Sequence, residues 1–182
     1  MVTDLVDAVI LITGVMAAGK STVSQLLAER FVRAAHVRGD IFRRFVVTGG
    51  AEPSPSMPTE AQDQLVLRYR LAASTADAYA QAGFVAVVQD IIVGPVLTEV
   101  IEMFTTDDLF LVVLDPAPAA IEEREVGRRK TGYTSTWTPT ELVTELRTST
   151  PRVGLWLDTT ECDERQTVDL ILQRLEEARI IR

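Results

Sequence analysis

Residues Gly14 to Ser21 read GVMAAGKS, a match to G-x-x-x-x-G-K-[ST]. Glycines at those positions let a backbone curl until successive N–H groups converge on an anion, with the positive end of the following helix dipole behind them. Gly14, Ala17, Ala18, Gly19, Lys20, Ser21 and Thr22 are therefore the expected nucleotide-binding residues, Lys20 reaching the outer phosphates and Ser21 ligating the metal. ATP and Mg²⁺ are the expected cosubstrate and cofactor. A second constellation is Gly39-Asp40-Ile41-Phe42-Arg43-Arg44. Asp40 and Arg43 are spaced so that a carboxylate and a guanidinium on one helical turn face the same pocket. Phosphoryl transfer needs little activation of its nucleophile, so Asp40 need only hold an acceptor hydroxyl and accept its proton late. Arg43 or Arg44 would bind an anionic or polyhydroxylated acceptor. The plainer reading is that Asp40 is a helix N-cap and the arginines are solvated.

Two further aspartates end apolar runs. Asp90 follows FVAVVQ and is a candidate for the acceptor or, through water, for the metal. Asp115, before Pro116, is more simply a cap of the next helix. The segment Glu122 to Tyr133 (EEREVGRRKTGY) gathers arginines around Gly127, with Arg124 and Arg128 four apart on one helical face. Arginines that close over phosphates stabilise the charge of the transferring group and exclude water, so Arg124 and Arg128 are candidate catalytic residues of a lid near 122–138. An ordinary basic helix end paired with Glu122, Glu123 and Glu125 is the competing reading. Lys20 and Lys130 are the only lysines of the chain, one in the loop and one in the lid candidate. His36 and Cys162 read as structural, as does Trp156 in the last strand.

The elements that position these residues alternate between strand and helix. Ala8 to Thr13 (AVILIT) is a continuous β-branched run suited to a strand buried on both faces, and Phe84 to Gln89, Leu109 to Leu114 and Gly154 to Leu157 repeat the pattern, with a weaker strand at Arg33 to Val37. A helix opens at Ser21. Thr59 with Gln62 spells a capping box for a long helix to about Ala82, and Pro95 starts another that ends near Phe104. Pro118 to about Arg129 is acidic then basic along its length; Thr138, Pro139 and Glu141 give N-cap, N1 and N3 of the next helix. Asp163 with Gln166 caps a last helix ending near Ile180. This order predicts an α/β fold around a mainly parallel sheet, in one domain over 1–182, with Thr48 to Pro58 as a surface loop.

Composition narrows the function. A chain of 182 residues, 47% hydrophobic, buries a core, and its net charge of −8 disfavours a nucleic-acid partner. No apolar run reaches the ~20 residues of a membrane helix, and Asp4 and Asp7 do not suit a secretion signal, so a cytoplasmic protein with no membrane partner is expected. One cysteine and one histidine exclude an internal disulfide and the usual zinc sites. With no N-K-x-D element and no acidic pair ending an apolar strand, neither a GTPase switch nor a mechanical ATPase is supported. A compact kinase remains.

The GxxxAGKST loop, the D-x-x-R element and the arginine-rich lid resemble the small phosphate-loop kinases, among them chloramphenicol phosphotransferase, gluconate kinase, zeta toxins and the kinase domain of polynucleotide kinase. The resemblance implies a nucleoside-monophosphate-kinase-like three-layer fold with a five-stranded parallel sheet in the order 2-3-1-4-5. It also implies that Asp40 orients or deprotonates the acceptor, and that adenine lies against Thr159 to Glu161. The expected activity is transfer of the γ-phosphate of ATP to a hydroxyl of a small molecule such as an antibiotic, nucleoside or sugar. A polynucleotide-end kinase and a non-catalytic ATP-binding sensor are the alternatives, and a homodimer is left open.

Overall fold

The computed structural model describes residues 5–51, 58–126 and 138–181. Its elements run β1 (Ala8–Gly14), α1 (Lys20–Ala28), β2 (Ala34–Arg38), a 3-10 segment (Gly39–Phe45), α2 (Thr59–Gln81), β3 (Val85–Gln89), α3 (Val96–Glu102), β4 (Leu109–Leu114), α4 (Pro118–Val126), α5 (Pro139–Ser149), β5 (Leu155–Leu157), α6 (Glu164–Gln173) and a second 3-10 segment (Leu175–Ala178). The strands form one parallel sheet in the order β2-β3-β1-β4-β5, the order implied by the family resemblance.

Every residue of β1, β3 and β4 is buried, because these strands lie inside the sheet with both faces covered. The edge strand β2 is mostly half-buried, which is why its sequence signal is the weakest. The chain moves one way along the sheet from β1 to β2 and the other way from β2 to β3. With right-handed crossovers, α1 and α2 must therefore cover opposite faces. Helix α6 packs on α1 and α3 on α2, completing three layers. No described helix is long and apolar enough to cross a membrane.

The capping boxes of α5 (Thr138, Glu141) and α6 (Asp163, Gln166) are both formed. Three local expectations fail. Pro58, not Thr59, is the N-cap of α2, and its carbonyl accepts the Gln62 N–H at 3.0 Å, so Thr59 is already helical and no capping box forms. Among the described residues Asp115 makes no capping bond; its Oδ1 accepts from Arg147 Nε of α5 at 2.8 Å. Helix α6 stops at Gln173, well before Ile180. There the chain tightens into the second 3-10 segment, and the Ile180 N–H bonds the Leu109 carbonyl at 2.8 Å, extending the start of β4.

Candidate active site

The phosphate loop begins where β1 ends. Gly14 has φ +142°, and a Cβ there would stand 2.5 Å from the Leu114 carbonyl oxygen of the neighbouring β4. Only glycine fits both demands. Ala17 (φ 59°) and Gly19 (φ 93°) add two more positive-φ turns that curl the loop back on itself. Gly19 then serves as N-cap of α1 with no side-chain cap, so the first N–H groups of the helix keep their hydrogen-bonding capacity for an anion. Lys20 is only 7% exposed, and its ammonium donates to the Gly14 and Val15 carbonyls at 2.9 and 2.7 Å, holding the charge inside the curl. Ser21 and Thr22 face solvent on the first turn. The Thr13 hydroxyl donates to the Ile92 carbonyl and accepts from the Ile92 N–H, both at 2.9 Å, which ties the base of the loop to the segment after β3.

Asp40 lies on the 3-10 segment that follows β2. Arg38 occupies the N-cap position, so the reading of Asp40 as a cap fails; Asp40 instead belongs to the first turn. Its Oδ1 accepts from Gln89 Nε2 at 3.3 Å and lies 3.7 Å from Arg38 Nε. With Arg43, Arg44, Gln64 and Arg68 it lines a cavity of about 500 Å³ between the 3-10 segment and α2. Gln62 and Arg70, the neighbouring polar residues of α2, are exposed and do not line it.

Asp90 sits behind this wall, 4% exposed. Its Oδ1 accepts from Arg68 Nη2 and from the Ile91 N–H, both at 2.7 Å, and its buried Oδ2 has no partner among the described residues. Burial pushes the Asp90 pKa upward; Arg68, the Ile91 N–H and Lys20 pull it down, and Asp40 adds to the rise. Lys20, Asp90 and Asp40 thus share one electrostatic neighbourhood at the carboxyl ends of β1, β2 and β3, the crevice where parallel sheets place ligands. A Cβ on Gly39 would meet Asp90 Oδ2 at 2.1 Å, so the carboxylate occupies the space that a larger residue 39 would need. Asp90 reaches the cavity through Arg68 and does not itself line it.

At the other end of the loop, a smaller cavity of about 150 Å³ is lined by Ala18, Gly19, Val23, Arg124, Thr159, Cys162, Asp163, Glu164 and Thr167. Arg124 Nη2 donates to the Thr159 carbonyl at 2.7 Å and to that of Cys162 at 3.4 Å, which fastens α4 to the β5–α6 connection. The Thr159 hydroxyl is buried with no partner among the described residues. Arg128, Lys130 and most of the expected lid lie outside the described residues.

These features fit a bound nucleotide with Mg²⁺. The curled backbone, the buried ammonium and the uncapped helix start are matched to a polyphosphate, and the exposed Ser21 hydroxyl is a hard oxygen donor on the same turn.

The sequence assigns no role to Gly39, Gln64, Arg68 or Gln89. Gln64 and Arg68 carry a faint signal, four apart on one face of α2. Gly39 and Gln89 carry none, since their neighbours Asp90 and Asp40 are remote in sequence.

Residues 9–152 match the model of a family described as AAA domain. No curated protein matches the chain. Among solved structures, a sugar kinase from Janibacter sp. superposes with a TM-score of 0.69 at 18% identity, over 94% of this chain and 95% of that one. The tunicamycin resistance protein of Deinococcus radiodurans gives 0.67 at 15% identity, covering 92% and 95%. A gluconokinase from Sinorhizobium meliloti gives 0.61 at 20% identity, covering 93% and 92%. The likeness is one of fold, that of the phosphate-loop kinases.

Proposed function

The chain belongs to the AAA domain family, and from that premise we propose that it is an ATP-dependent phosphotransferase acting on a hydroxyl of a small molecule. One observation carries the reading: the phosphate loop and an acceptor-sized cavity headed by Asp40 open at the same sheet edge, with Asp90 feeling both Lys20 and Asp40. A nucleotide site alone would not need the second cavity.

The N–H groups from Gly14 to Thr22 bind the phosphates and Lys20 balances charge on the outer ones. Ser21 holds Mg²⁺, which neutralises charge on the phosphate oxygens when bound. Asp40, steadied by Gln89, holds the acceptor hydroxyl in line. As the acceptor oxygen bonds to the γ-phosphorus, the bond from that phosphorus to the β,γ-bridging oxygen breaks, ADP leaves and the hydroxyl proton passes to Asp40. Arg43, Arg44 and Arg68 hold the acceptor, Arg68 being positioned by Asp90. Arg124 borders the smaller cavity, where the base would lie, and Arg128 is the lid residue assigned to the transferring group.

Incubation with MgATP and a panel of hydroxylated metabolites and antibiotics should yield a product heavier by one phosphoryl group, and Lys20→Ala should abolish it. If ATP binds but no alcohol gains phosphate, a nucleotide-sensing module becomes the better reading. Salt-dependent binding of an oligonucleotide would favour a polynucleotide-end kinase.

A further inference from the structure

Strand β3 reads Val85-Ala86-Val87-Val88-Gln89, buried throughout, and Gln89 is its one polar residue. Gln89 is 4% exposed, and an amide taken out of water costs free energy unless its groups are bonded. Among the described residues its one side-chain hydrogen bond goes to Asp40, from Nε2 to Oδ1 at 3.3 Å, across 49 positions of the chain. Strand pairing sets up the meeting, since Gln89 lies in register with Arg38 of β2, two residues before Asp40.

The fold alone does not need this amide. The Asp40 side chain is 46% exposed, so water can serve its carboxylate in place of Gln89, and a methionine would fill much the same space without burying a polar group. What the amide does is choose between two oxygens. Oδ1 accepts from Gln89 and lies 3.7 Å from Arg38 Nε, while among the described residues no hydrogen bond reaches Oδ2. The last torsion of an aspartate is broad when nothing holds it. A carboxylate pinned at Oδ1 presents Oδ2 in one direction.

Building on the phosphotransferase reading, we infer that Gln89 is a positioning residue of the transfer, holding the Asp40 carboxylate by Oδ1 and leaving Oδ2 as the oxygen that takes the acceptor's proton. As the acceptor oxygen bonds to the γ-phosphorus, its O–H bond breaks and the proton passes to Oδ2, while the electron pair of the bond to the β,γ-bridging oxygen leaves with ADP. An amide suits the place better than a carboxylate. Asp90, the next residue, is already a buried carboxylate, and a glutamate at position 89 would be a third negative group beside it and Asp40.

Stability and turnover of Gln89→Met separate a positioning role from a structural one. The variant should unfold in urea at a midpoint no lower than that of the wild type. Its kcat for phosphate transfer from MgATP, followed over the panel of hydroxylated metabolites and antibiotics, should fall about 10²-fold, with KM for ATP and for alcohol within about twofold. Gln89→Glu, of the same length but with no donor when ionised, should not restore the rate. In the Asp40→Asn background Gln89→Met should cost nothing further, because the amide acts through that carboxylate. Crystals grown with MgADP need no alcohol, and they should show Oδ1 on the amide in the wild type and the carboxylate turned away from that direction in Gln89→Met. The inference is overturned if Gln89→Met unfolds more readily or fails to fold, if its kcat is unchanged, if the two losses add in the double variant, or if Asp40 keeps one orientation in both crystals. A wild type that binds MgATP and phosphorylates no alcohol would overturn the phosphotransferase reading, and the crystals would still decide whether Gln89 orients Asp40.

Discussion

The two ends of the crevice are built from different materials. The nucleotide end is made by backbone: positive-φ residues at Gly14, Ala17 and Gly19, an uncapped helix start and a lysine folded onto loop carbonyls. The proposed acceptor end is made by side chains from separate elements, with Asp40 held by Gln89 and Arg68 held by Asp90. Backbone geometry tolerates few residue types, so the first end admits little change in sequence. Side-chain walls can be rewritten one residue at a time while the fold is kept.

If the ends are separable, Asp40→Asn should show the largest effect: transfer falls about 10³-fold, or ~4 kcal/mol of transition-state stabilisation, while nucleotide affinity stays within about twofold. Equal loss of both in kinetics and titration would break the division. Gly14→Ala should cost about 3 kcal/mol in urea unfolding and weaken nucleotide binding as well, because the new methyl meets the backbone oxygen of Leu114 and the φ is strained. Gly39→Ala should cost less, about 1–2 kcal/mol, since its φ lies outside the left-handed region and its methyl meets the Asp90 side chain rather than backbone; acceptor binding should suffer and nucleotide binding should not. A cost for Gly39→Ala equal to that for Gly14→Ala would erase the contrast.

The smallest effect concerns His36, which joins the two ends: on β2 near Arg38 and Asp40, its Nδ1 lies 3.0 Å from Gln25 Oε1 of α1. Burial lowers its pKa from the ordinary 6.5, Arg38 lowers it further and Asp40 opposes them. A histidine with a depressed folded pKa stabilises the fold fully above the unfolded value, and that stability is lost as pH falls below it. The melting temperature should therefore fall on acidification from about pH 7.5 to 5.5, and by less in His36→Gln. Identical pH slopes for the two proteins would remove His36 from the account.

The residue pattern by itself determined the strand–loop–helix phosphate site, the buried strands and the caps of α5 and α6, because each depends on neighbours a few residues away. The chain signals at Asp40 and Arg43 were equally local, and the 3-10 turn keeps them together. Tertiary structure decided the rest. Asp90, expected to meet metal or acceptor, holds Arg68 from 22 residues away. Gln89 reaches Asp40 across 49. Gln64 and Arg68, rather than Gln62 or Arg70, enter the cavity because the rotation of α2 about its axis is set by which alanines it buries on the sheet. Periodicity fixes which residues share a face; only the packed crossovers fix what that face meets.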